Sequence, residues 1–138
     1  MDNQKIGRRS RNKGKKGELS LMHILRDFYG YDVRRGYTFQ HESDLVGLPG
    51  IHVECKVMSK PNVYAAYEQA VEEAQKRQDG IPVVFVHKDG DGSKDNVNGW
   101  KVYLSLADFM DLYGAWEADG KRMDQTSQKG SGESECPS

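Results

Sequence analysis

The chain has 138 residues, a formal net charge of -1, 36% hydrophobic and 30% charged residues, which supports one domain with a modest core. No apolar run approaches membrane-spanning length, which argues against a helical membrane protein. Its two cysteines, Cys55 and Cys136, are far apart and neither has a C-x-x-C partner, so zinc and a disulfide framework are both disfavoured and a reducing cytoplasm fits.

Met1 to about Asn12 read as a disordered basic arm. Lys5, Arg8, Arg9, Arg11, Lys13, Lys15 and Lys16 crowd the first sixteen residues against the single acid Asp2. No apolar segment of signal-peptide type follows, so no secretory signal is expected. A basic arm is a common footprint of nucleic-acid binding, because each neutralised phosphate releases counterions. A solvated leader is the plainer reading, and the two are compatible where an arm orders only on binding.

A helix is expected from about Lys13 to Tyr29, with Leu21, Leu25 and Phe28 as its apolar stripe and Gly30 as its stop. Glu18 lies at the N-terminal end of that stripe. It is either an exposed first-turn acid favoured by the helix dipole or a group aimed into a site. Tyr31 to Arg35 reads as a first strand. The polar loop from Gly36 to Ser43 carries Tyr37, Phe39, Gln40 and His41. Aromatics beside Arg34 and Arg35 can stack on an unpaired base or pack back on the domain.

Ser43 to Lys56 reads as two short strands joined by a Pro49-Gly50 turn. Residues two apart in a strand share a face, so Ile51, Val53 and Cys55 point one way and His52, Glu54 and Lys56 the other. A hairpin closing at Pro49-Gly50 brings Asp44 back within reach of Glu54. Two carboxylates and a lysine in one small volume suit metal-assisted phosphodiester hydrolysis. Mg²⁺ takes one or two carboxylates plus water and phosphate oxygens, and an ammonium beside it neutralises charge developing on the phosphate. Taken alone, the same pattern also describes a surface hairpin with a charged outer face.

Ser59 to Asn62 breaks the strand and caps a helix from Val63 to about Gln78, with Tyr64, Tyr67, Val71 and Ala74 as its stripe and Gln69 and Ala70 on an adjacent strip. Asp79-Gly80 is its stop. The continuous apolar run Ile81 to Val86 suits a strand covered on both faces. Asp89-Gly90-Asp91-Gly92 lacks the glutamate of a calcium loop and reads as a turn. Trp100 to Leu104 is a final strand. Ser105 to Asp108 opens a short helix that is expected to end at Gly114. From about residue 115 the polar composition points to a disordered, acidic, Ser/Gly-rich tail. The four histidines show no metal-ligand spacing; His52 shares the Glu54 face and reads as a strand histidine at the edge of the site. There is no Walker-type loop and no Ser-His-Asp signature.

The order is therefore α-β-β-β-α-β-β-α, an α/β domain with a mixed sheet. Glu18 on its helix, then Asp44, then Glu54-Cys55-Lys56, then Gln69 on a second helix resembles the PD-(D/E)XK nuclease superfamily and its restriction-endonuclease-like αβββαβ core, a mixed central sheet flanked by helices. Within it the chain is most similar to archaeal-type and phage Holliday junction resolvases. Asn12 to Leu19 matches their Lys-Gly-rich entry into a Glu-bearing helix, and Ser43-Asp44-Leu45-Val46, Ile81-Pro82-Val83-Val84 and the strand at Trp100 have counterparts as well. The likeness covers roughly Lys13 to Tyr113, giving an arm over 1–12, a nuclease domain over 13–114 and a tail over 115–138.

The resemblance implies that Asp44, Glu54 and the Cys55 backbone carbonyl hold Mg²⁺ or Mn²⁺, with Glu18 joining directly or through water. It implies that Lys56 orients or activates the attacking water and that Gln69 supports the site. Arg8, Arg9, Arg11, Lys13, Lys15, Lys16, Arg34 and Arg35 would contact DNA. The implied activity is structure-specific cleavage of branched or double-stranded DNA by a homodimer, leaving a 5′-phosphate. A nickase, a restriction-like enzyme or a flap nuclease would use the same site, and a catalytically silent nucleic-acid-binding module is the alternative from another class. The chain departs from the family at Leu19, where relatives often carry arginine. Thr38 and Ser43 are the candidates for a hydroxyl that several relatives place before the aspartate. Clustered carboxylates repel, so one of them is expected to hold a proton more readily than a free acid.

Overall fold

A computed structural model describes residues 15–37, 43–60, 62–90 and 92–131, with side chains described as far as Gly120. Arg8, Arg9, Arg11, Lys13, Thr38, Phe39, Gln40, His41 and Cys136 lie outside the described residues, as do the rest of the expected arm and the end of the tail.

The first helix, α1, is α-helical over 15–23 and continues through Ile24–Phe28 as a π turn. Strands follow at Arg34–Arg35 (β1), Leu45–Val46 (β2) and Ile51–Met58 (β3), then helix α2 at Val63–Arg77. Strands Ile81–Lys88 (β4) and Trp100–Tyr103 (β5) precede helix α3 at Leu106–Ser131. The sheet has the order β1-β2-β3-β4-β5. Only the β3–β4 pair is parallel, running from Ile51 opposite Ile81 to Met58 opposite Lys88, and α2 makes the crossover that such a pair requires. The element order and the mixed sheet are those expected. Among the described residues no helix is long and apolar enough to cross a membrane.

Alternation along β3 and β4 divides the core in two. On one face Leu21, Met22 and Ile24 of α1 pack with Val33, Leu45, Val53, Val57 and Trp100, with Cys55 and Phe85 against them. On the other, Ala66 and Ala70 of α2 pack on Val84 and Val86. β4 is thus covered on both sides, as its unbroken apolar run requires.

Several local expectations are corrected. Phe28 is exposed, because the π turn closes with Tyr29 N–H on the Ile24 carbonyl and the extra residue rotates Phe28 out of the stripe. Gly30, at φ +81°, ends the helix: its N–H reaches the Arg26 carbonyl and the Tyr31 N–H reaches that of Leu25, nested bonds each one residue wider than those of a Schellman stop. The first strand is shorter than expected, since only Arg34 and Arg35 are paired. The buried stripe of α2 is Ala66, Ala70 and Ala74, not one led by Tyr64, which is exposed; small alanines let the helix axis approach the sheet. Asn62 caps α2 by accepting the Ala65 N–H at 3.1 Å.

The unit from Ser105 onward is separate from the preceding one. Ser105 caps α3 by accepting the Asp108 N–H at 3.0 Å. α3 runs on to Ser131, so neither the stop at Gly114 nor the structureless reading of 115–131 holds. A glycine inside a helix costs only about 1 kcal/mol, and Ala115, Glu117 and Ala118 are good helix formers on its far side.

Candidate functional site

The β2–β3 hairpin places the acids. Asp44 donates its N–H to the Val53 carbonyl at 3.1 Å, and its Oδ2 accepts the Cys55 N–H at 2.7 Å. These two bonds straddle Glu54, so the Asp44 carboxylate is fixed alongside it. Glu54 is only 3% exposed, because it points to the face covered by α2 and pairs across the parallel ladder with the buried Val84. The Lys56 Nζ lies 3.8 Å from the Glu54 Oε2. The turn that closes the hairpin is braced from below by the Ile81 N–H on the Gly50 carbonyl at 2.8 Å. Gly80 permits this approach: at φ +133° a Cβ there would lie 2.4 Å from Gly50 backbone atoms.

Burial, and secondarily the charge of Asp44, push the Glu54 carboxyl up to about 8, with Lys56 opposing. Asp44 is raised to about 6, chiefly by burial, against the lowering effect of the Cys55 N–H; Glu18 and Glu73 add to the rise. Burial also drives the Cys55 thiol far upward, so it stays a neutral thiol packed against the core. Glu18 is held by Arg35, whose Nε and Nη2 both donate to Oε1, at 3.0 and 2.9 Å. The structure thus brings Glu18, Asp44, Glu54 and Lys56 within electrostatic reach of one another.

Other expected residues fall differently. Arg35 is engaged with Glu18. The guanidinium of Arg34 lies over the Tyr37 ring, 4.6 Å from its centroid. Lys15 and Lys16 are exposed on α1. Ser43 is buried, and its hydroxyl donates to the Leu45 carbonyl at 2.8 Å. Gln69 does not touch the hairpin acids; its Nε2 donates to the Glu73 Oε1 at 3.3 Å.

Two further residues belong near the site. Glu73 lies one helical turn beyond Gln69 on α2, and nothing in the sequence pattern singles it out. Asp79 was read only as a stop signal, yet its oxygens lie 2.8 and 2.9 Å from the His52 Nδ1. His52, expected as a strand histidine at the edge of the site, lies on β3 with its side chain completely buried. Among the described residues, the donors close enough to share an ion come from His52, Glu54 and Glu73, whose ligand atoms all lie within 4.8 Å of one another. Only Glu54 is common to this group and to the set expected from the sequence.

Comparison with protein-family models and with curated protein sequences finds no match for this chain.

Proposed function

We propose that the chain is a divalent-metal-dependent DNA endonuclease, acting on branched DNA of the four-way-junction type. The observation that carries this reading is the pairing of Asp44 with Glu54 beside the Lys56 ammonium. Two carboxyls raised chiefly by burial, Glu54 also by the charge of Asp44 and Asp44 by those of Glu18 and Glu73, form a site short of positive charge, which fits a divalent cation. Asp44 and Glu54 would hold it, with the Cys55 carbonyl and with Glu18 through water. A bound Mg²⁺ or Mn²⁺ supplies Lewis-acid polarisation of a phosphoryl oxygen and acidifies a water.

The protein's own groups complete the chemistry. Lys56 faces the negative charge that grows on the phosphate as water attacks phosphorus and the 3′-oxygen leaves. Arg35 fixes Glu18 at the border of the site. Lys15 and Lys16, exposed just before Glu18 on α1, offer phosphate contacts next to the acids. Such contacts position DNA without reading its sequence. The resemblance to junction resolvases favours branched DNA over linear duplex and implies a homodimer that cuts paired strands.

The test is cleavage of a labelled four-way junction beside duplex, flap and single-stranded controls, with Mg²⁺, with chelator, and with Glu54→Gln protein. Paired symmetrical cuts in the junction alone, lost with chelator and with the substitution, are expected. Metal-dependent cutting of the other substrates would keep the site and change the substrate. Binding without any cutting would reduce the chain to a nucleic-acid-binding module. Robust cutting in excess chelator would overturn the assignment.

A further inference from the structure

The α2-facing side of β3 carries donors that hydrolysis at Asp44 and Glu54 does not use. His52 is completely buried and shares this face with Glu54, two residues on. A carboxylate only accepts, so the contact with Asp79 at 2.8 Å puts the ring hydrogen on Nδ1. In the neutral form of that ring, the one able to ligate a cation, the lone pair lies at Nε2. That nitrogen has no hydrogen-bond partner. It faces the Oε2 of Glu73 at 3.9 Å. The other oxygen of Glu73 is occupied by Gln69 at 3.3 Å, which leaves Oε2 turned toward the ring.

We propose that His52, Glu54 and Glu73 bind a borderline divalent cation of the Zn²⁺, Co²⁺ or Mn²⁺ class, in a site separate from Asp44 that shares Glu54 with it. A buried lone pair and two carboxylate oxygens are jointly satisfied by a cation, whereas no protein donor reaches the nitrogen. One imidazole with two carboxylates suits these ions, while Mg²⁺ prefers oxygen ligands alone. Donors around one such ion stand at most about 4 Å apart, given bonds of roughly 2.0–2.1 Å. The observed spread of up to 4.8 Å therefore closes by a small rotamer adjustment. Glu73, on the outer part of α2 with its side chain 41% exposed, is free to make it. Asp79 plays the outer role, a carboxylate that fixes the tautomer and aims the ring. The proposal rests on α2 and β3 and not on the nuclease reading.

The experiment uses full-length Asp44→Asn protein, which lacks the second carboxylate of the hydrolytic site. Co²⁺ is titrated and read by visible absorption, and Zn²⁺ is titrated with the His52 ring nitrogens followed by ¹⁵N NMR. One equivalent is expected to bind, moving the Nε2 resonance while Nδ1 keeps its hydrogen, with Mg²⁺ at the same concentration leaving both in place. Adding Glu73→Gln, a substitution at a partly exposed helix position, is expected to weaken Co²⁺ binding at least about 10-fold. Asp79→Asn, which removes no ligand, is expected to weaken it roughly 10- to 100-fold. An Nε2 resonance that ignores Zn²⁺, or unchanged affinity in the Glu73→Gln protein, would overturn the proposal and leave a buried water as the partner of His52. Zn²⁺ binding in the Asp44→Asn protein, together with a parent protein that cuts none of the DNA substrates, removes the nuclease reading alone.

Discussion

Asp44 is tied to Cys55 side chain to backbone: Oδ2 accepts the Cys55 N–H at 2.7 Å, and the bond holds the carboxylate alongside Glu54. Asparagine keeps an acceptor oxygen there and removes the charge. Asp44→Asn is therefore expected to stay within about 1 kcal/mol of the parent in stability, whereas Asp44→Ala strands the N–H and costs about 1–3 kcal/mol. Both are expected to lower metal-dependent cleavage roughly 100-fold or more. The Asn variant also lowers the Glu54 carboxyl from about 8, because the Asp44 charge is the second cause of its rise after burial. Urea unfolding and carboxyl ¹³C NMR check the two halves.

Glu54 gives the metal-free protein an inverted pH profile. Its folded proton affinity, about 8, exceeds its ordinary value of 4.5, so between those values the folded state holds a proton that the unfolded chain has lost. The contribution is fully present below about pH 4.5 and is lost as pH rises through about 8. Asp44, raised to about 6, acts in the same direction. Without metal, unfolding free energy is expected to fall by a few kcal/mol between pH 5 and 9. Glu54→Gln is expected to flatten most of that slope. Mg²⁺ is expected to oppose it, since a cation binds the deprotonated pair. Thermal unfolding across pH, in chelator and in Mg²⁺, is the measurement. Parallel profiles for parent and Glu54→Gln would remove the buried-carboxyl account. Cleavage should rise from pH 6 toward pH 8.5 for the same reason.

The hairpin was legible because its signals are local. A Pro-Gly turn fixes where the chain reverses, and a period of two then dictates that Glu54 and Lys56 share a face and that Asp44 returns to them. The contributions of α2 were not legible. Ala66, Ala70 and Ala74 form its buried stripe, and a hydropathy reading led by tyrosines rotates the helix so that Glu73 falls on the solvent side. His52 took its meaning from Asp79, which lies 27 residues away and is delivered by the turn after α2. The pairing of Arg35 with Glu18 spans 17 residues and two different elements. Phe28 was misplaced because nothing in the residue types marks a π turn.

Gly17 sets how closely α1 approaches β3. A Cβ there would lie 2.3 Å from the Val57 Cγ2 and 3.9 Å from the Trp100 ring. Val57 is short, branched and buried, so it has little room to give. Gly17→Ala is expected to force the helix outward and destabilise the domain by about 1–3 kcal/mol, despite the better helix propensity of alanine. The neighbouring Glu18 moves with the helix, so metal affinity should fall as well. Gly17→Ala combined with Val57→Ala makes room for the new methyl and should recover the position of Glu18, read as restored metal affinity, while paying for a smaller core. Denaturant unfolding and metal titration of the single and double variants decide it; additive losses in both would mean that the contact is unimportant.

Arg35 separates a structural role from a role in DNA contact. Both its donors fall on the Glu18 Oε1, at 3.0 and 2.9 Å, and the pair is partly open to solvent, at 37% and 21% exposure. Pairs of this kind contribute about 0–1 kcal/mol, so Arg35→Ala is expected to leave stability nearly unchanged. Its effect should appear at the site: Glu18, released from its anchor, samples other rotamers, and the Mg²⁺ concentration needed for half-maximal cleavage is expected to rise several-fold while cleavage at saturating Mg²⁺ changes little. A phosphate contact predicts the opposite split, with DNA affinity falling and becoming less salt-dependent while the Mg²⁺ requirement stays fixed. Measuring both titrations on parent, Arg35→Ala and Glu18→Gln proteins distinguishes them, because only the anchoring role makes the two variants share one metal phenotype.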